Sequence, residues 1–327
     1  MKRLSTLVAV LALVAAACGG ETVDTTAVPQ AQSTTSPTVA PATTTTEAPD
    51  DGFPVTVSTA NGDVILEERP VSIVSISPTA TEMIFAIGAG EQVVAVDAYS
   101  YYPPETPVTD LSGWQPNIEA IASYEPDLVV TSGDPDGLIE ALTTLGIPVL
   151  LVPAAATFDD VYTQIEQLGA ATGNVGSAAE LVAQMQSEIA EIVAGLPDFA
   201  TAPTYYHELS PDLYSATSLT FIGTVYSTLG LINIADEADL DGFGYPQLSA
   251  EWILDQDPDF IFLADAKCCG ASPESVSERP GWDGLSAVIN GRVVVLDDDI
   301  ASRWGPRIVE YLRSVAAVVG ALETSGS

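Results

Sequence analysis

At 327 residues the chain has the length of about two ordinary domains, and 47% hydrophobic residues give it a core that a disordered protein lacks. Nine Lys and Arg stand against 45 Asp and Glu, a net charge of −36, and no Lys or Arg occurs between Arg69 and Lys267. That excludes a basic groove for nucleic acid, and a phosphate-rich partner would be repelled. The cysteines are Cys18, Cys268 and Cys269, and the one histidine is His207. With no CxxC pair and no Cys/His spacing, a structural zinc site has no support, and no metal is expected.

The chain opens with Lys2-Arg3 and an apolar run from Leu4 to Ala17, a charged and then short hydrophobic segment of the kind removed as a signal peptide. The run is too short for a membrane span. Its end, Val14-Ala15-Ala16-Ala17-Cys18-Gly19, resembles a bacterial lipobox, departing at Ala15 where Leu is more usual. The expectation is a lipoprotein signal peptide over 1–18 with Cys18 lipidated, which also accounts for an otherwise spare thiol; plain secretion is the alternative. Residues 19–52 contain no Leu, Ile, Phe, Tyr or Trp and read as a disordered Thr/Pro/Ala-rich tether.

Residues 53–175 read as a first α/β lobe. Phe53 to Leu66 forms a hairpin around Asn61-Gly62. A strand over Val71 to Ile76 precedes a helix capped by Thr79 or Thr81 and closed by Gly88. Strands follow at Val93 to Asp97, Leu128 to Thr131 and Val149 to Val152, with a helix from Pro135 to Leu145. Alternating strands and helices imply βαβ units and a mainly parallel sheet. Two helices then run consecutively, about Phe158 to Thr172 and about Ala178 to Ala194. The second is given a capping box at Ser177-Glu180 and a stripe of Leu181, Met185, Ile189, Ile192 and Leu196, so 176–197 reads as a connecting helix. Residues 198–327 read as a second α/β lobe, with strands at Thr204 to His207, Phe260 to Leu263 and Val293 to Leu296. A helix is expected near Phe221 to Leu229, and Pro306 opens a final one.

The chain also repeats itself. Trp114-Gln115-Pro116-Asn117-Ile118-Glu119 and Tyr245-Pro246-Gln247-Leu248-Ser249-Ala250-Glu251 align on Glu119 and Glu251. In both copies an Ile follows two residues on and a Pro-Asp pair seven and eight on, ahead of a buried strand. Each glutamate falls in the first turn of a helix capped by Asn117 or Ser249, where the helix dipole favours a carboxylate. Good helix chemistry explains either one alone; two at equivalent positions suggest a paired role.

From about Arg69 to Leu322 this arrangement resembles the helix-hinged class of ABC-importer substrate-binding proteins, which deliver cobalamin, ferric siderophores or haem. The resemblance is carried by Ser75-Ile76-Ser77-Pro78-Thr79-Ala80-Thr81-Glu82, Tyr99-Ser100-Tyr101-Tyr102-Pro103-Pro104-Glu105, Gly113 through Glu119, and Gly305-Pro306-Arg307. The Tyr-Ser-x-Tyr-Pro-Pro and Trp-Gln segments are most similar to the cobalamin-binding members. The resemblance implies two Rossmann-like lobes joined by one long helix, a ligand cleft between them, and Glu119 and Glu251 docking on a membrane permease. It implies ligand contacts from Tyr99, Tyr102 and Trp114 in the first lobe and from Tyr245, Asp299 and Arg303 in the second. The protein would be a monomer tethered to the outer face of the cell membrane, with no cofactor and no catalysis.

Anionic siderophores call for several Arg or Lys in the cleft, and few of the basic residues fall in the expected cleft loops, so a corrinoid is the expected ligand and a ferric siderophore or haem the alternative. The family's second-lobe disulfide has no matching cysteines here. In an exported protein the adjacent Cys268 and Cys269 form either a vicinal disulfide or two free thiols. His207 is either a ligand contact or a lobe-edge residue. An enzyme is disfavoured by the lack of a Gly-x-Ser-x-Gly elbow and of a P-loop, whereas an adhesion lipoprotein leaves the cleft motifs unexplained.

Overall fold

The computed structural model describes residues 52–325; the expected signal peptide with Cys18, and the expected tether up to residue 51, lie outside them. Strands β1 (Val55–Thr59) and β2 (Gly62–Leu66) form the expected antiparallel hairpin, with Gly62 at φ +105° in the turn. The Asn61 amide reaches the neighbouring sheet, donating to the Val149 carbonyl at 3.0 Å and accepting from the Leu151 amide at 3.2 Å. It thereby covers an edge that would otherwise invite strand pairing.

The first sheet contains β3 (Ile73–Ser75), β4 (Val93–Asp97), β5 (Val108–Leu111), β6 (Leu128–Thr131) and β7 (Val149–Leu151). All pair in parallel, in the order β5-β4-β3-β6-β7. β5 escaped the sequence reading because Val108-Thr109-Asp110-Leu111 is a half-exposed edge with little apolar signal. Helix α1 (Pro78–Ala86) is capped by Ser77, whose hydroxyl accepts from the Ala80 amide, and not by Thr79 or Thr81 as expected. A residue before proline is pushed to extended backbone, which is what a cap requires, and proline suits the first helical position. After α2 (Ile118–Ala122), the helix expected from Pro135 is interrupted. A single 3-10 turn ends at the left-handed Gly137, and α3 (Leu138–Thr144) begins there.

Helix α4 (Phe158–Thr172) has the expected bounds and a Thr157–Asp160 capping box. The chain reverses at Gly173, and α5 (Val175–Ala194) starts earlier than expected. Its cap position is Asn174, so Ser177 lies inside the helix and the expected Ser177–Glu180 box does not form. At 1.5 Å per residue these 20 residues extend about 30 Å.

The second sheet is β8 (Thr204–Glu208), β9 (Ile232–Asn233), β10 (Phe260–Leu263) and β11 (Val293–Val295), parallel in the order β11-β10-β8-β9. Around it lie α6 (Phe221–Thr228), α7 (Ala250–Gln256), α8 (Ala266–Cys269), α9 (Pro273–Ser277), α10 (Ser286–Ile289), α11 (Asp298–Ala301) and α12 (Ile308–Val319). Pro306 lies two residues ahead of α12 and does not open it.

Because strand side chains alternate, each sheet has two apolar faces to bury. The outer faces pack separately, Val74 and Val129 against Leu138 and Leu142 in the first sheet, and Tyr206 and Ile261 against Trp282 in the second. The inner faces share one core. Ile73 and Leu128 from the first sheet and Tyr205, Phe260 and Phe262 from the second join Leu168 of α4, Val182, Met185 and Ile189 of α5, and Leu312 and Val315 of α12. The buried stripe of α5 runs through Ala178, Val182, Met185 and Ile189. Leu181, Ile192 and Leu196 of the expected stripe are partly buried beside it.

Candidate ligand-binding cleft

In an open parallel sheet ligands collect outside the carboxyl ends of the strands, where the order reverses direction. In the first sheet that reversal lies between β3 and β6. A cavity of about 650 Å³ sits there, lined by residues at or just beyond four strand ends: Ile76 to Thr79 after β3, Asp97 as the last residue of β4 and Tyr99 after it, Gly113 and Trp114 after β5, and Ser132 to Pro135 after β6. The far wall, Asp299 and Ser302 to Trp304, comes from α11 and the turn that follows it.

Local bonds set the aromatic side chains. The Tyr99 amide donates to the Asp97 carboxylate at 2.9 Å, fixing the turn out of β4. Burial raises the Asp97 pKa against the bonds it accepts from Tyr99 and Ser100. The Ser112 hydroxyl accepts from the amides of Trp114 and Gln115 at 3.2 and 3.1 Å. Gly113 leaves no choice of residue: a Cβ there would lie 2.6 Å from the Ile76 carbonyl, so only glycine lets this loop close against β3. Trp114 and Tyr99 are 83% and 61% exposed, so their ring faces are open to a ligand.

The opposite wall is tightly bonded. Asp299 accepts from the Tyr101 hydroxyl at 2.5 Å and the Lys267 ammonium at 2.6 Å, and pairs with Arg303 at 3.3 Å. Burial works against its charged form, but Lys267, Tyr101 and Arg303 together hold its pKa below the usual carboxylate value. Arg303 also donates to Glu82 at 2.7 Å and to the Tyr99 carbonyl at 3.0 Å, with its guanidinium 5.3 Å from the Tyr101 ring centre. Trp304 donates to the side-chain oxygen of Gln164 at 3.0 Å.

Tyr99, Trp114, Asp299 and Arg303 thus share one cavity. Tyr102 does not join them. Its ring lies 3.9 Å below the Arg307 guanidinium, in an adjoining cavity of about 280 Å³ with Glu82 and Pro306. Tyr245 is half-exposed on the stretch 244–247, whose backbone bonds to 213–217, and it is not a lining residue of the cavity. Sequence reasoning passed over Asp97, Asp134, Ser302 and Trp304; the nearest signal for Trp304 was its place directly before Gly305-Pro306-Arg307.

Cys268 and Cys269 are joined as a vicinal disulfide on α8. The adjoining Lys267 bonds Asp297 and Asp299. His207 is neither a cleft residue nor at a lobe edge: it is fully buried in β8, with Nδ1 2.9 Å from the Tyr226 hydroxyl, and burial pushes its pKa down to about 3. Among the described residues no group of three His, Cys, Asp or Glu is placed to hold a metal ion.

Glu119 and Glu251 are both exposed, each at the second position of its helix. The Asn117 side chain accepts from the Ala120 amide at 3.0 Å, and the Ser249 hydroxyl from the Trp252 amide at 3.1 Å. Neither glutamate side chain makes a hydrogen bond or an ion pair among the described residues.

Residues 73–300 match the periplasmic binding protein family. The chain belongs to that family. It is 33% identical over 275 residues to an uncharacterized ABC transporter substrate-binding lipoprotein, YvrC, of Bacillus subtilis, an alignment covering 81% of this chain and 85% of the relative. It is also 33% identical over 278 residues to a cobalamin-binding protein of Halobacterium salinarum, covering 81% and 73% of the two chains. The crystal structure of the periplasmic vitamin B12 binding protein BtuF of Vibrio cholerae superposes with a TM-score of 0.60 at 26% identity, covering 76% of this chain and 96% of that one. The family's members are substrate-binding transport proteins outside the cytoplasm and not enzymes, and so is this chain. Among the described residues no helix is long and apolar enough to cross a membrane.

Proposed function

We propose that this protein captures a corrinoid of the cobalamin type in the cleft between its two sheets and passes it to an ABC permease, docking through Glu119 and Glu251. In this reading Cys18 carries the lipid that holds a monomer at the outer face of the cell membrane, and residues 19–52 are the tether. The lobes are 53–175 and 198–327, with 176–197 between them.

The observation that carries the choice of ligand is electrostatic. Among the described residues Arg303 is the one cationic side chain lining the cavity, and Glu82, Asp299 and the Tyr99 carbonyl already occupy it. Asp97, Asp134 and Asp299 line the same cavity, so an anionic ligand meets acids and a neutralised arginine. A corrinoid edged with amides needs stacking surfaces and hydrogen-bond partners instead. Trp114 and Tyr99 supply the first, and carboxylates and backbone groups the second. The names of the Halobacterium relative and the Vibrio structure point to the same ligand class.

Purified protein titrated with cyanocobalamin and followed by tryptophan quenching should saturate with a Kd of about micromolar or tighter, and Trp114→Ala should weaken it by roughly tenfold. Saturation by haem or by a neutral ferric hydroxamate, with cyanocobalamin silent, would replace the corrinoid by one of those ligands. No binding of any of the three would overturn the reading.

A further inference from the structure

Five ion pairs run across the cleft wall as one chain. Asp297 and Lys267 lie 3.1 Å apart, Lys267 and Asp299 2.6 Å, Asp299 and Arg303 3.3 Å, Arg303 and Glu82 2.7 Å, and Glu82 and Arg307 2.5 Å. The charges alternate, three acids with three cations, so the chain is neutral. Glu82, on α1, is its one member from the first half of the protein, and it sits 221 and 225 residues from the two arginines it holds. Its side chain is 2% exposed, and those of Arg303 and Arg307 are 11% and 14%. Arg307 grips it with two nitrogens, at 2.8 and 2.5 Å.

A planar guanidinium is the side chain best suited to a carboxylate or another oxyanion, and here two of them stand beside a ligand cavity. Both are committed to one buried carboxylate. An anionic ligand that recruited either arginine would have to displace that carboxylate and leave it desolvated beside Asp299, which opposes binding.

We propose that Glu82 is a specificity-determining residue: by holding Arg303 and Arg307 it withdraws from the cleft the cations an anionic ligand would use, and restricts the site to uncharged or cationic ligands. This rests on the cavity being the ligand site, but its readout is the binding of an anion, which is measured whether or not a corrinoid binds.

The test compares the full-length protein with Glu82→Gln, which keeps the shape of the side chain and removes its charge. Each is titrated with a ferric tris-catecholate, a trianion, and with cyanocobalamin. The wild type should bind the trianion weakly. In Glu82→Gln the affinity for the trianion relative to cyanocobalamin should rise by roughly tenfold or more, and adding Arg303→Met should abolish the gain. A folded Glu82→Gln protein whose ratio moves by less than about threefold, or a gain that survives Arg303→Met, would overturn the proposal. Should Glu82→Gln fail to fold, Ser302→Arg places an unopposed guanidinium at an exposed lining position of the same cavity. It should confer the trianion binding that the neutralised Arg303 does not, and a Ser302→Arg protein that still excludes the trianion overturns the proposal equally.

Discussion

Single residues in this protein are governed by what burial does to charge. Glu82 is buried and doubly paired, whereas Asp265, between β10 and α8, is buried and unpaired: neither of its carboxylate oxygens meets a hydrogen-bond partner among the described residues. The charges facing it are Glu208 from β8, Arg279 after α9 and Asp298 of α11, and Arg279 is already clasped by Glu208 at 2.5 and 2.6 Å. Burial first, and then Glu208 and Asp298, push the Asp265 pKa from 3.8 up to about 6, with Arg279 pulling the other way. The folded protein therefore binds this proton more tightly than the unfolded chain does. The stability it contributes is fully present below pH 3.8 and is lost as the pH rises through about 6. Asp265→Asn removes that loss, so urea unfolding should show its advantage over the wild type growing between pH 4 and pH 6 and levelling off above, at roughly 3 kcal/mol. An advantage that is the same at every pH would contradict this account.

At the scale of elements the internal repeat has two separable parts. Its Pro-Asp pairs are structural. Asp127 accepts from the amides of Val71 and Ser72 at the entry to β3, and Asp259 accepts from the amide and hydroxyl of Thr204 at the entry to β8. The residues before the two prolines, Glu125 and Asp257, both take left-handed backbone, at φ 50° and 42°, where the proline disfavours a helical turn. Each copy thus ends a short helix, reverses, and ties the next strand to the first strand of its own sheet. Glu119 and Glu251 do none of this. Their carboxylates are exposed and make no hydrogen bond or ion pair among the described residues, which is the condition expected of docking groups. Replacing both by Ala should leave the unfolding midpoint and ligand affinity within about twofold, while uptake, or ligand-stimulated ATP hydrolysis by the reconstituted permease, falls to background. Loss of ligand binding in that double variant would move the pair from docking to the ligand site.

Over the whole molecule, the inner faces of the two sheets and helices α4, α5 and α12 share one core, so α5 is a packed element and not a free-standing link. The ion-pair chain from Asp297 to Glu82 and Arg307, with the Tyr101–Asp299 bond beside it, adds a polar tie between the two walls of the cleft. A close-packed shared core moves by small shear and not by wide hinging. Small-angle scattering of the protein with and without saturating cyanocobalamin should therefore give radii of gyration within about 1 Å of each other. A larger contraction would require the shared core to part.

Much of this was legible from local sequence. Strands buried on both faces read as apolar runs, caps and Pro-Asp stops punctuate them, and the two glutamates stand out because the same short pattern occurs twice. These signals act over a few residues, where propensity and periodicity dominate, and together with the cleft motifs they sufficed for the α/β class and the family. The errors were also local: β5 and β9 are too short or too polar to show, and the caps of α1 and α5 shifted by a few residues where Pro78 and Gly173 set the backbone. The make-up of the cavity was decided only by tertiary structure. Tyr102 reads like Tyr99 in sequence, yet it packs under Arg307 outside the cavity, while Trp304 enters it. Counting arginines along the chain suggested a poor site for anions. Only the fold, by bringing Glu82 against Arg303 and Arg307 from more than 200 residues away, decided that the arginines beside the cleft are already neutralised. Such pairing depends on which strand ends and helices the packed core brings together, and no short stretch of sequence carries that information.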